Sequence, residues 1–350
     1  MRTRTIPILL VALLATVARP AFAQDSAKKI LDYQGPDRSE RLVAAAKKEG
    51  VVNLYTSINA EDVKRLTAAF EGKYGVKVSV WRSRSENVVQ RTLAEAKADR
   101  HVVDAIETNG PELESLAREK VLTTFFSPFA GELVQNAIPR HRLYLPTRFN
   151  VFVQAYNTRL IRKEALPKTY EDLLRPEWKG RLGIEQSDAD WMAELIHYWG
   201  EKRALDFFRG IGAQDLQKRK GHIVLANMVA AGEVPLALTV YSFEIDHLQR
   251  KQAPIAMLAL DPVIAKPNGI AIAARAPHPN AALLFADFML TDAQKLFSDH
   301  GSVPANTKTK SPIEGARLVV LDPAMVIDGW EKWSRLWDQY VMNTGKRADN

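Results

Sequence analysis

Three times between Asp37 and Glu107 a stretch with helical spacing of apolar residues gives way to a short apolar run, and this alternation limits the possible folds more than any other feature. Asp37 to Glu49 reads as a helix stopped by Gly50, and Val51 to Tyr55 as a strand. Asn59 is placed to cap a second helix, with Val63, Leu66 and Phe70 on one stripe, Asp62 in the first turn and Gly75 at the end. Val76, Val78 and Val80 alternate with polar residues as the next strand, a helix is expected from Glu86 to Ala98, and Val102 to Glu107 forms the third strand. A β-α-β-α-β order calls for a parallel sheet with helices on both faces.

A second cycle begins after Pro146. Strands are expected at Val151 to Tyr156, Arg181 to Glu185, Val234 to Val240 and Gly269 to Ala273. Helices are expected at Trp191 to Trp199, Arg203 to Arg209 and Ile223 to Ala231, and Pro279 opens another running to Leu290. Trp330, Trp333 and Trp337, three and four residues apart, read as one face of a C-terminal helix packed onto the body. At 350 residues, 46% hydrophobic and 25% charged, the chain has the composition of a soluble globular protein and the length of two domains. There is no Pro/Ser-rich linker, which implies two α/β lobes between which the chain passes more than once, with a cleft between them.

The first 23 residues stand outside this pattern. Arg2 and Arg4 precede an apolar run from Ile6 to Ala18, and Ala21-Phe22-Ala23 forms a small-x-small cleavage site before Gln24. The run falls short of the roughly 20 apolar residues of a membrane-spanning helix. It reads as a cleaved export signal (1–23) and predicts a soluble periplasmic protein. Removing it takes away Arg2, Arg4 and Arg19 and no acid, so the net charge falls from +7 to +4. So mild a balance predicts no nucleic-acid partner. The absence of Cys excludes disulfides, thiolate metal sites and a cysteine nucleophile.

In parallel α/β sheets ligands sit beyond the carboxyl ends of the strands, where helix N-termini offer free N–H groups. The residues at those places are Thr56-Ser57-Ile58-Asn59, Arg82-Ser83-Arg84-Ser85-Glu86, Thr108-Asn109-Gly110, Gln186-Ser187-Asp188 and Tyr241-Ser242-Phe243-Glu244. Hydroxyls, amides and arginines dominate, a set suited to a small polar, anionic solute. Arg148 with Asn150 adds to it, just before an expected crossing strand. Glu86, Asp188 and Glu244 are isolated carboxylates that an exported hydrolase could use as a base, but Gly-x-Ser-x-Gly, P-loop and His-Glu-x-x-His patterns are all absent and the seven His are scattered.

An ordered set of segments carries a family resemblance: Val52-Asn53-Leu54-Tyr55-Thr56-Ser57, Val153-Gln154-Ala155-Tyr156-Asn157-Thr158, Pro176-Glu177-Trp178-Lys179-Gly180-Arg181-Leu182-Gly183, Gly232-Glu233-Val234-Pro235 and Gly301-Ser302-Val303-Pro304. Together they resemble the ferric-ion-binding branch of the extracellular solute-binding proteins of ABC importers, over nearly the whole mature chain. The resemblance implies a type II periplasmic binding protein. Each lobe would be a mostly parallel sheet flanked by helices, one lobe from 24–150 and 266–306 and the other from 151–265 and 307–350, joined by crossing hinge strands. It also implies a monomeric, non-enzymatic protein that needs no cofactor and delivers its ligand to an inner-membrane permease.

Ferric-binding members hold Fe(III) with two adjacent tyrosines after the Gly-Glu-x-Pro strand, and here Tyr241 stands alone with Ser242 beside it. Tyr241 and Glu86 are the expected metal ligands if iron(III) is carried, a thin anionic shell unless a chelating anion completes it. The alternative solute is a small organic or phosphorylated anion. The expected ligand-binding set is Ser57, Asn59, Arg82, Arg84, Glu86, Asn109, Arg148, Ser187, Tyr241 and Ser242.

Overall fold

The computed structural model describes residues 30–313 and 315–343. The expected export signal lies outside them. In the first half of the molecule the chain runs α1 (Arg38–Glu49), β1 (Val51–Thr56), α2 (Ala60–Tyr74), β2 (Lys77–Arg82), α3 (Ser85–Lys97), β3 (Ala105–Asn109), α4 (Gly110–Arg118) and β4 (Leu122–Thr123). These follow the sequence reading closely, because the punctuation acts as expected. Gly50 and Gly75 end their helices in left-handed conformations, and the Asn59 side chain accepts the Asp62 N–H at the start of α2. The third strand starts later than expected. Asp104, just before it, has its carboxylate held by the Asn53 and His278 N–H groups.

Then come β5 (Tyr144–Asn157), β6 (Leu182–Glu185), α5 (Ala189–Trp199), α6 (Glu201–Gly212), β7 (Gln217–Arg219), α7 (His222–Ala231), β8 (Leu236–Tyr241), α8 (Ser242–Arg250), β9 (Ile255–Leu258) and β10 (Val263–Ala273). The chain closes with α9 (Pro279–Leu290), α10 (Asp292–Asp299), β11 (Val303–Pro304), β12 (Leu318–Val320), α11 (Pro323–Asp328) and α12 (Trp330–Trp337). Of the three expected tryptophans, Trp333 and Trp337 are buried. Trp330, the opening residue of α12, is 48% exposed, one turn short of the part that packs.

The strands form one curled sheet in the order β2-β1-β3-β10-β5-β8-β6-β7. At one end β2, β1 and β3 are parallel; at the other β8, β6 and β7 are parallel. Between them run β5 and β10, antiparallel to each other. Both are longer than the sequence pattern suggests, starting at Tyr144 rather than Val151 and at Val263 rather than Gly269. β5 pairs with β10 over 144–151 and with β8 and β9 over 152–157, so one uninterrupted strand passes from one half of the molecule to the other. This is the two-lobed α/β architecture with crossing strands that the sequence implied.

Each half has its own aromatic nucleus. Phe70 packs against Phe285 and Phe288 at 5.0 and 5.4 Å between α2 and α9. In the second half the rings of Tyr170, Trp191, Trp199, Phe207 and Phe208 stand edge to face. Each fully buried ring contributes roughly 1.5–3 kcal/mol from area alone. These nuclei hold the strand ends, where the polar residues collect, in fixed positions.

Candidate functional site

The register of β5 against β10 sets Lys266 opposite Asn150 and Asn268 opposite Arg148. Directly opposed residues share a face, and so do residues two apart on one strand, so Arg148, Asn150, Lys266 and Asn268 form a polar quartet on one face of the crossing pair. From this quartet a hydrogen-bonded chain leads into the first half. Arg148 Nη1 donates to Asn150 Oδ1 at 2.6 Å, Asn150 Nδ2 to Asn109 Oδ1 at 3.3 Å, and Asn109 Nδ2 to Ser85 Oγ at 2.8 Å. Beneath it lies Glu107, fully buried, accepting from Thr56 Oγ1 at 2.9 Å with Arg148 Nε 3.6 Å away. Burial raises its pKa and the guanidinium opposes that rise.

The first two loops are tied to the same place. Ser57 Oγ lies 2.9 Å from Thr108 Oγ1, Asn59 caps α2, and Arg82 Nε donates to the Ile58 carbonyl at 2.5 Å. Arg84 and Glu86 open α3 and are exposed. The expected residues of the first half thus fall into two groups. Asn109 and Arg148 belong to one hydrogen-bonded chain, with Ser57, Asn59 and Arg82 braced beside it. Arg84 and Glu86 stand on the outer lip.

In the second half Tyr241 ends β8 and Ser242 begins α8. The Tyr241 ring stacks on the His222 imidazole at 3.9 Å and 18°, and Lys266 Nζ lies over the rings of Phe152 and Tyr241 at 5.1 and 5.6 Å. Lys266 Nζ is held by Asp190 Oδ2 at 2.8 Å. Burial opposes the lysine's charge, but Asp190 and its neighbours overcome this and hold its pKa well above the ordinary value. Burial likewise pushes the Tyr241 phenol up, although the ammonium pulls it down. Ser187 is exposed, and its N–H donates to a Glu185 carboxylate oxygen. The expected metal pair is therefore differently placed: Tyr241 is 9% exposed beside a fixed cation, and Glu86 lies on the exposed lip of the other half.

Several buried polar atoms here have no hydrogen-bond partner: Arg148 Nε, Ser242 Oγ, Asp188 Oδ2 and both amide atoms of Asn268. A buried unpaired polar group costs about 1–3 kcal/mol, and gathering several at one junction fits atoms kept for something that enters. Around them the halves meet. Glu61 of α2 lies 3.8 Å from His247 of α8, and Arg118 of α4 lies 2.6 Å from Asp328 of α11. Burial pushes Glu244 up to about 7, with Asp62 across the gap adding to the rise.

Lys266 and Asn268 escaped the sequence reading because it started that strand at Gly269. The available signal was a lysine and an asparagine flanking Pro267 within an otherwise apolar run. Nothing in the sequence pattern separates His222 from the other six scattered histidines, although it opens the helix next to Tyr241.

A model of the bacterial extracellular solute-binding protein family matches residues 65–319. Iron uptake protein A1 of Synechocystis sp. is 23% identical over 269 residues, covering 70% of this chain and 72% of that protein. Iron-bound HitA from Pseudomonas aeruginosa superposes with a TM-score of 0.73 at 20% identity, covering 83% of this chain and 99% of that one. The periplasmic binding protein AfuA from Actinobacillus pleuropneumoniae, with fructose-6-phosphate bound, superposes at 0.72 and 20% identity, covering 84% and 99%. The two-lobed fold is thus shared with binding proteins of unlike cargo, and the chain belongs to the bacterial extracellular solute-binding proteins.

Proposed function

We propose that this chain is the periplasmic, non-enzymatic solute-binding component of an ABC importer. Its two lobes close on a small solute rich in anionic oxygen and present it to an inner-membrane permease. The lobe limits we propose are 24–150 with 266–306 and 151–265 with 307–350; the partner change of β5, between residues 151 and 152, supports them to within one residue. The observation that carries the reading is the set of buried atoms without hydrogen-bond partners on Arg148, Asn268 and Ser242, contributed by both crossing strands and by the start of α8. Closure can be driven only by contacts that differ between the open and closed states, and a solute bridging these atoms supplies them.

The positive groups at the junction support one kind of solute. Arg148 and Lys266 face the junction and Arg82 and Arg84 lie on the first lobe, so a bare Fe(III) ion would meet cations there and a single phenol of raised pKa. A phosphorylated or carboxylated small molecule fits, and so does iron(III) carried by such an anion; a relative named for iron uptake, iron-bound HitA and AfuA with fructose-6-phosphate bound span both cases. The ligand-binding set is Ser57, Asn59, Arg82, Arg84, Glu86, Asn109, Arg148, Ser187, Tyr241 and Ser242, extended by Asn150, Lys266 and Asn268. Calorimetric titration with hexose phosphates, citrate and ferric citrate tests the reading. One of them should bind 1:1, with Arg148→Lys weakening it at least about tenfold through loss of the planar fork. No binding by any, or an unchanged dissociation constant in that variant, would remove the anion reading.

A further inference from the structure

The anion reading leaves a group of side chains in the second half unused. Glu185 ends β6, Asp188 sits at the start of α5, and His222 is the first residue of α7. One ligand-capable atom from each lies within 4.8 Å of the other two. We propose that Glu185, Asp188 and His222 form a binding site for a divalent first-row transition ion of the zinc class.

The ligand set is prepared rather than incidental. Each Glu185 oxygen already accepts a backbone N–H, from Ser187 and from Gly221, which fixes the carboxylate while leaving lone pairs free. Asp188 is 1% exposed; its Oδ1 lies 3.0 Å from His222 Nε2, and its Oδ2 is buried with no partner at all. The imidazole cannot swing freely, because Tyr241 is stacked on one side of it and the Phe152 ring lies 6.0 Å away. Its side chain is nonetheless 16% exposed, and Ser187 beside the cluster is exposed, so an ion can reach the group from solvent.

The cluster itself brings two carboxylates, with Asp190 and Glu244 nearby. The cations beside it are Lys266, which Asp190 already holds at 2.8 Å, and Arg219, opposite Glu185 on β7, whose Nη1 donates to the Lys218 carbonyl. Two carboxylates and an imidazole suit zinc and its neighbours better than calcium or magnesium, which prefer oxygen alone. Ligands about 2.0–2.2 Å from a zinc ion lie roughly 3–4 Å from one another, so the three atoms need to close in by at most roughly 1–2 Å. Three protein ligands leave a position open for water or a solute oxygen. The site does not depend on the anion reading, since none of its three ligands belongs to the polar quartet on β5 and β10.

The test is calorimetric titration of the chelator-treated full-length mature protein with zinc chloride, and separately with manganese chloride, in a buffer free of phosphate and citrate. One Zn2+ per chain is expected. Asp188→Asn and His222→Gln should each weaken it at least about tenfold. In the unsubstituted protein Zn2+ should also protect His222 from acylation by diethyl pyrocarbonate, read by peptide mass, which needs no variant to fold. Absence of stoichiometric binding, unchanged affinity in folded Asp188→Asn and His222→Gln, or unaltered acylation of His222 would each overturn the site. Failure of the anion titrations would leave these results untouched.

Discussion

Lys266 Nζ sits 2.8 Å from Asp190 Oδ2, joining the crossing strand β10 to the first turn of α5 with both side chains only 10% exposed. An ion pair at that depth is held in place by the fold as much as it holds the fold together. Removing one partner strands the other charge. Lys266→Met is therefore expected to destabilise the protein by about 3–5 kcal/mol, read by urea denaturation. The double variant Lys266→Met/Asp190→Leu should recover most of that loss without recovering solute affinity. A double variant as unstable as the single one would show that Lys266 contributes mainly by packing.

Asn268 predicts the opposite balance between stability and binding. The residue is 1% exposed and neither amide atom has a partner, so the protein without solute carries an unmet desolvation cost. Asn268→Leu, close in volume, should leave that protein unchanged or stabilise it by up to about 1–3 kcal/mol and weaken the solute at least tenfold. A melting curve and a titration on the same preparation check both halves; a variant that loses stability while retaining affinity would contradict the assignment.

The prolines explain which parts of this site could be read in advance. The helices and parallel strands of the first half were legible because Gly50, Gly75 and Asn59 act locally and within a few residues of the elements they end or begin. Pro146 and Pro267 instead argue for breaks, since proline donates no hydrogen bond to a ladder. Both nevertheless lie inside long strands. Pro146 pairs with Gly269 where the β5–β10 register shifts, and Pro267 lies opposite Phe149. That tolerance arises from the pairing of segments more than a hundred residues apart, which no local pattern records. Lys266 and Asn268, the β10 half of the polar quartet, are hidden with it, so the loops of the site and its β5 half, Arg148 and Asn150, are legible and the β10 half of its floor is not.

Glu194 supplies a pH dependence. It is 2% exposed on α5, and burial pushes its pKa up to about 7 from 4.5. The folded protein takes up its proton near pH 7 and the unfolded chain only near pH 4.5, so on this group's account stability rises as pH falls between those values and is lower by about 3 kcal/mol above pH 7. Carboxylates with lowered pKa values, such as Glu71 and Asp206, remain ionised across that window and do not mask the effect. Glu194→Gln should flatten the melting temperature between pH 5 and pH 8 and raise it at pH 8. An unaltered slope would mean that other groups, Glu112 and Glu244 foremost, set the profile.

Two glycines separate damage to the crossing strands from damage to an ordinary core. A Cβ on Gly269 would lie 2.8 Å from the Leu145 carbonyl oxygen and 3.0 Å from Leu113 Cδ1. The first obstacle is backbone of the neighbouring strand, so β5 must move, and Arg148 and Asn150 move with it. A Cβ on Gly183 would meet Val234 Cγ1 at 2.6 Å and Leu225 Cδ1 at 2.9 Å, both side-chain atoms outside β5 and β10 rather than backbone of either strand. Each alanine variant should cost about 1–3 kcal/mol as an overpacked core does, but only Gly269→Ala should also weaken solute binding, because only there does relief of the clash displace the residues that touch it. Equal affinity in the two variants, measured at a temperature where both are folded, would show that β5 and β10 can shift against each other without disturbing the site.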